Sequence, residues 1–426
     1  MKKKLFLTVC FLSCMAALSF FSISYYYKRI YRPDLTVMGF ANMHDGIGRQ
    51  SVEIIDSLQE EVSISFYETQ KSNMTDVPLS VQSILQKGSH QLGKIILYED
   101  IITPFSHVFF HKHFDLNKKD QIRLAYSMVE SSEVQKRWVN NLNIYFDAVI
   151  VPDPFLLDVY KNSGVTIPIF VLPLGLNLTK FLEKPLKTKS NTPFVFANFS
   201  ACILRKNHSI LIDAFYQAFG NNSEVRLWIN CRASEGNLFQ DLQAKVASLG
   251  VTNILLTKNC YNNEDYLKNF EQIDCYVSLS KAEGFSIQPR EAMALGIPCI
   301  ISDNTAQTTI CKSNLVKTVS CPIKEPAYYE IFRDVFGFQY SVELEEASKA
   351  LKEVYENYDA HLKLAEQSRL WAAQYDYSTL RSLYKSLIHP TLVLLGEDNR
   401  IEQDHLITNS PKLYEKYQCI QSTTPS

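Results

Sequence analysis

The stretch Ser278–Ile301, SLSKAEGFSIQPREAMALGIPCII, constrains the fold of this chain more than any other. It continues an apolar run, Cys275–Ser280, whose β-branched and aromatic content reads as a buried strand. Gly284 marks a loop, and a helical pattern runs from about Pro289 through Leu295. Gly296 ends that helix, Pro298 blocks its restart, and Cys299-Ile300-Ile301 begins another buried strand. This is one βαβ step of a parallel sheet, with the loop and the helix N-terminus at the sheet's carboxyl edge. Doubly wound folds bind ligands at that edge, and helix N-termini there hold phosphate. Two carboxylates, Glu283 and Glu291, bracket the loop with seven residues between them. Carboxylates bind vicinal hydroxyls by charge-assisted hydrogen bonds, and amide N–H groups with a helix dipole bind phosphate oxygens. The residues alone also fit a plainer pair, a solvated loop acid and an acid that stabilises a helix N-terminus.

Glu283-Gly284-Phe285 and Glu291 through Pro298 resemble the donor-sugar signature of the retaining family-4 glycosyltransferases, with both glutamates, the Gly-Phe and the Gly-x-Pro in register. The resemblance implies the GT-B fold, an α/β arrangement of two Rossmann-like domains facing across a cleft. It implies transfer of a sugar from a nucleoside diphosphate to an acceptor hydroxyl, with the anomeric configuration retained. Glu283 would then contact the transferred sugar, the turn Gly284-Phe285-Ser286 the diphosphate, and Glu291 the ribose. Relatives commonly carry a Gly-Arg pair after the first strand of the second domain and a Lys before the next helix, both on the diphosphate. Here Arg205-Lys206-Asn207 matches the later element, but Ser200-Ala201 stands where the Gly-Arg pair would fall. Arg205 is left as the substitute cation, and Glu283, Lys206 and Arg205 form the expected catalytic set. Lys258 and Asn259 should face the base. Gly46-Ile47-Gly48-Arg49 looks like the first-domain glycine loop that faces the donor phosphates. Glu130 and His107 are candidates on the acceptor side, for a glycan or lipid-linked acceptor. The family needs no metal and no cofactor beyond the nucleotide sugar.

Other readings attach to the same residues. Gly46-x-Gly48 followed about 20 residues later by an acid imitates a dinucleotide fingerprint, but Ser51 replaces the third glycine. His107 and His111 could share one helix face and bind a metal with His113 nearby, but no further ligand pattern accompanies them. Glu130 also fits an ordinary acid at a helix N-terminus. A nucleotide-sugar epimerase or hydrolase, or a catalytically silent nucleotide-sugar-binding protein, would be built on the same fold.

Length and charge set the remaining bounds. A chain of 426 residues suits two domains, and 46% hydrophobic residues suffice for both cores. The net charge of −2 gives no basic character of the kind nucleic-acid binding needs. Ten cysteines are scattered without a Cys-x-x-Cys pair, which argues against a disulfide framework. Leu5–Ser24 has no charged residue and follows Lys2-Lys3-Lys4, long enough to span a bilayer and too long for most cleaved signals. The expected organisation is an N-terminal transmembrane anchor over 1–32, an acceptor domain over 33–185 and a donor domain over 186–375. A crossover helix over 376–394 and a polar tail over 395–426 complete it. Nucleotide sugars are made in the cytosol, so the expected placement is membrane-anchored with the catalytic domains on the cytosolic face. Asn-x-Ser/Thr triplets at Asn198 and Asn207 border the expected phosphate site, where a glycan would obstruct binding.

Overall fold

The computed structural model describes residues 32–388 except 90, 104, 118, 119, 260 and 331, together with 394–395, 401–402 and 411–422. The first domain is a sheet of six parallel strands: β1 (Leu35–Gly39), β2 (Ile64–Glu68), β3 (Ile95–Glu99), β4 (Ile122–Tyr126), β5 (Ala148–Val151) and β6 (Ile169–Val171). Their order is β2-β1-β3-β4-β5-β6. The second domain repeats the plan with β7 (Phe194–Asn198), β8 (Val225–Asn230), β9 (Ile254–Thr257), β10 (Cys275–Ser278), β11 (Cys299–Ser302) and β12 (Lys317–Val319). Here the order is β12-β11-β10-β7-β8-β9, again parallel throughout. Strands such as β3 and β10 are buried at every residue, as central parallel strands covered on both faces must be. Strand order reverses between β1 and β3 in one sheet and between β7 and β10 in the other, and binding crevices open at such points. The two Rossmann-like domains expected from the sequence are present.

Helix α1 (Gly46–Leu58) starts earlier than the glycine turn suggested. Asp45 caps it, its Oδ1 accepting from the N–H of Ile47 (2.9 Å) and Gly48 (3.1 Å), so Gly46 and Gly48 lie in the first helical turn. Helix α2 spans Ser106–His113, and α3 (His208–Phe219) follows a 3₁₀ turn at Leu204–Lys206. Helices α4 (Asn263–Glu271) and α5 (Ile287–Ala294) flank β10.

An antiparallel hairpin, β13 (Ile323–Tyr329) with β14 (Asp334–Ser341), leans from the second domain onto the first. Ser132 N–H donates to the Phe338 carbonyl (3.1 Å), and Phe338 N–H donates to Ser132 Oγ (3.0 Å). Gly337 permits this approach: its φ is +63°, and a Cβ there would sit 2.6 Å from Ser132 Oγ.

The chain then returns to the first domain. Leu176 N–H donates to the Tyr375 carbonyl (2.8 Å), and Tyr377 N–H donates to the Leu176 carbonyl (2.9 Å). Helix α6 (Tyr377–Lys385) buries Leu380 and Tyr384 in the first-domain core beside Val52 and Ile55 of α1. The tail expectation needs correction. Helix α7 (Pro411–Ser422) buries Leu413, Tyr417 and Ile420 in that same core, and Tyr417 Oη donates to the Leu387 carbonyl (3.1 Å). Three apolar residues at spacings of four and three make a narrow helical stripe inside an otherwise polar segment.

The anchor expectation is corrected as well. Among the described residues no helix is long and apolar enough to cross a membrane. The segment Leu5–Ser24 lies outside the described residues, and what those residues form is two facing domains.

Candidate active site

The 3₁₀ turn after β7 and the loop after β10 bring opposite charges together at the carboxyl edge of the second sheet. Glu283 is buried, and Lys206 Nζ bonds its Oε1 while an Arg205 guanidinium nitrogen reaches Oε2 at 2.9 Å. Burial raises the Glu283 carboxyl, but the two cations outweigh it and hold the group at about 2. Burial lowers the Lys206 ammonium, and the neighbouring Arg205 charge adds to that against the pull of Glu283. Arg205 also reaches across the cleft to Glu130 Oε1 at 3.2 Å, and Glu130 N–H donates to Tyr329 Oη (3.1 Å) on the hairpin. Thus Glu283, Arg205, Lys206 and Glu130, named from sequence, meet on one cavity of about 720 Å³.

A second cavity of about 50 Å³ adjoins it, the two sharing Asp45, Gly46, Arg232, Ile287 and Gln288. Beside it, Glu291 is 1% exposed and doubly held. Tyr266 Oη on α4 donates to its Oε2 (2.7 Å), and Arg49 on α1 donates to its Oε1 (2.9 Å) from the opposite domain. Arg49 also donates to Glu53 (2.9 Å), so its charge is spent on two carboxylates. Burial pushes the Glu53 carboxyl up to about 7 despite that cation.

The turn between the two glutamates is close-packed. A Cβ on Gly284 would lie 3.0 Å from Met128 Sδ, so the first domain approaches this glycine closely and a larger residue would press on that side chain. Ser286 takes φ +69°, a left-handed conformation costly for a serine. Arg290, fully buried on α5, offsets that cost by donating to the Phe285 carbonyl and to the Ser286 carbonyl (3.0 Å). Its guanidinium lies 3.9 Å from the Phe285 ring centroid and 4.5 Å from that of Tyr375, with Asp153 of the first domain 3.7 Å away. Burial raises the Asp153 carboxyl to about 6, with Arg290 opposing.

Several expected residues sit elsewhere. Gly46 lines both cavities and Asn259 the smaller one, but Gly48 packs beneath Asn42 and Phe40. Lys258 is exposed, its Nζ 5.8 Å from the Phe239 ring centroid, outside both cavities. Thr257 turns inward to Asn230 (2.8 Å), so alternation along the extended chain sends the next side chain outward. His107 is exposed and lines neither cavity, because α2 buries Ser106 and Phe110 and leaves residue 107 off that face. The residues at Ser200-Ala201 do not supply a cation. Ser200 Oγ and Asn198 Oδ1 each lie 3.0 Å from His208 Nε2, a strut that fixes the loop after β7. Among the described residues, the one trio of metal-type side chains is Cys202, His208 and Cys231, so the histidines of α2 form no such group. Sequence reasoning missed Arg232, Tyr266, Tyr329 and Arg290. Arg232 alone had a signal, a basic residue just past the end of a buried strand at the same sheet edge.

Comparison with known proteins follows the same lines. Residues 181–322 match the family model of the glycosyl transferases group 1. No curated protein sequence matches the chain. Among solved structures it is similar to HepE of Anabaena in complex with UDP, with a TM-score of 0.57 at 14% identity over 82% of this chain and 97% of that one. It is similar to sucrose-phosphate synthase of Thermosynechococcus elongatus, with a TM-score of 0.61 at 12% identity over 83% and 98% of the two chains. The trehalose 6-phosphate synthase of Burkholderia multivorans gives 0.59 at 11% identity over 83% and 98%. At these identities the likeness is one of fold, and the fold is GT-B.

Proposed function

We propose, from the match of residues 181–322 to the glycosyl transferases group 1, that the protein transfers a sugar from a nucleoside diphosphate to an acceptor hydroxyl with retention of configuration. The observation that carries this reading is the division of labour along one cleft. Glu283 with Lys206 and Arg205 stands at one end, and Glu291 with Arg49 and Tyr266 at the other. Two carboxylates separated in this way suit two polyols, the transferred sugar and the ribose. The cations paired with them suit the diphosphate that joins those polyols. That the similar HepE structure is a complex with UDP supports a nucleotide ligand.

In this reading Glu283 is a permanent anion that orients sugar hydroxyls and strengthens its contact as positive charge develops at the anomeric carbon. Lys206 and Arg205 neutralise the departing diphosphate, helped by the N-terminus of α5, where Ser286 makes no side-chain cap and Ile287 and Gln288 line the cavity. The proton of the acceptor hydroxyl leaves with that diphosphate. Full-length protein incubated with UDP-, GDP- and ADP-sugars, with and without glycan acceptors, tests the assignment. Acceptor-dependent release of nucleoside diphosphate is expected. Release that ignores acceptor would make it a hydrolase or epimerase, and binding without release a silent protein.

Glu291→Ala should raise donor KM about tenfold or more with a smaller change in kcat, because ribose contacts are alike in ground and transition states. Glu283→Gln should do the reverse, lowering kcat more than it raises donor KM. It should also shift the alkaline limb of the kcat/KM profile to lower pH. Burial already lowers Lys206, and Glu283 is the partner that opposes this. Both variants at parental kinetics would make the motif structural.

Activity is expected to be equal with and without EDTA, since basic side chains and a helix N-terminus suffice to neutralise the leaving group. Loss in chelator restored by Mn²⁺ or Mg²⁺ would contradict this.

A further inference from the structure

Glu99 ends β3 at the point where the strand order of the first sheet reverses, and it is 1% exposed. Neither of its carboxyl oxygens has a hydrogen-bond partner among the described residues. The same is true of both amide atoms of Gln50, also 1% exposed, on α1. The Ser51 hydroxyl stands near Glu99 and the Tyr384 hydroxyl near Gln50, yet neither completes a hydrogen bond to them, and buried polar atoms left so are costly. Glu99 and Gln50 line a small cavity of about 20 Å³ together with Ile47, Ile101, Met128 and Trp138. Those last four residues also line the large cavity, so the small one is a side pocket of the cleft on its first-domain wall. It is large enough for a water or a hydroxyl group and no more. Met128, which closes on Gly284, places it next to the turn expected to meet the donor. Burial pushes the Glu99 carboxyl up to about 8, so at neutral pH it can donate as well as accept.

We propose that Glu99 and Gln50 form a polar subsite that takes a hydroxyl group of the acceptor, a sugar or other polyol, on the first-domain side of the cleft. Calling that polyol the acceptor rests on the transfer reading, whereas the subsite rests on the side pocket and its unpartnered atoms. A site built to hydrogen-bond a hydroxyl discriminates strongly against ligands that lack it, so this pair would help set acceptor choice.

The test uses the full chain and thermal unfolding, with methyl glycosides of glucose, galactose, mannose and N-acetylglucosamine as probes at about 100 mM. At least one should raise the Tm by on the order of 2 °C, the shift expected when a ligand stands several-fold above its Kd. Glu99→Leu and Gln50→Leu should lose that shift while keeping the shift given by UDP, GDP or ADP. If Glu99→Leu does not fold, Gln50→Leu and the isosteric Glu99→Gln, which keeps part of the hydrogen bonding, decide the matter. Once a donor and acceptor are known, Glu99→Leu should raise acceptor KM at least tenfold and leave donor KM alone. The proposal is overturned if no glycoside stabilises the parental protein, or if the shift persists in both leucine variants, as it would were the pocket filled by a structural water. A protein stabilised by glycosides but by no nucleoside diphosphate would keep the subsite and sink the transfer reading.

Discussion

Lys206→Ala should lose about 10–150-fold in kcat/KM, and Arg205→Ala a comparable factor. A hydrogen bond from a charged donor contributes about 1.5–3 kcal/mol, and the transition-state relation converts that range into this loss in rate. The diphosphate becomes a better-defined anion as its bond to the sugar breaks, so a cation beside it favours the transition state over the bound substrate. Both side chains project from one rigid turn, which Lys281 N–H pins by donating to the Arg205 carbonyl (2.8 Å) and Asn207 closes with φ +59°. Without donor they rest on Glu283, so the site stores its cations as ion pairs that a diphosphate must share. Arg49 is poorly placed to replace them, since Glu53 and Glu291 already engage it. Arg232, which lines both cavities, is the alternative source of charge. Kinetics of the Lys206, Arg205 and Arg232 alanine variants separate the cases. A small effect at Arg205 with a large one at Arg232 would relocate the second cation. A fully active Lys206→Ala enzyme would overturn the role of the turn altogether.

Arg290→Leu should lower stability by about 3–5 kcal/mol, the range for breaking a buried ion pair from one side. The substitution strands Asp153, itself 1% exposed, in an apolar site and removes the donor that holds the Phe285 and Ser286 carbonyls. It also removes a cation stacked between two aromatic rings. Denaturant midpoints at neutral pH measure this. Adding Asp153→Leu should recover part of the loss, because an apolar pair can replace a buried ionic one at little cost. No recovery would mean that the carbonyl and ring contacts, and not the ion pair, carry the effect. A loss under about 1 kcal/mol would show that this arginine does not join the domains.

Much of the second domain was legible because its strands are continuous apolar runs punctuated by glycine and proline. Glu283 and Glu291 were legible for the same reason, being the polar residues at fixed distances from those breaks. The hairpin Ile323–Ser341 was not. Pro326 interrupts its first strand and its turn lacks an Asn-Gly or Asp-Gly pair, so neither of the usual signals is present. Arg290 reads as an ordinary polar helix residue. Only the packing of Phe285, Tyr375 and Asp153 around it reveals that it is enclosed. Lys258 and His107 failed on side-chain direction, which a one-residue offset reverses in a strand and rotates off the buried face in a helix. Glu99 could be placed at a strand end from sequence, but its lack of partners is a property of the assembled wall.

The core of the first domain contains Leu380, Tyr384, Leu387, Leu413, Tyr417 and Ile420 from the far end of the chain. A ribosome therefore releases the second domain's continuous stretch before the first domain has all its parts. The unit made first should be finished last, waiting with an open apolar face until the final helix arrives. Chains cut short of α7 would be left in that waiting state, so truncation at the C-terminus should act as a folding defect of the N-terminal half.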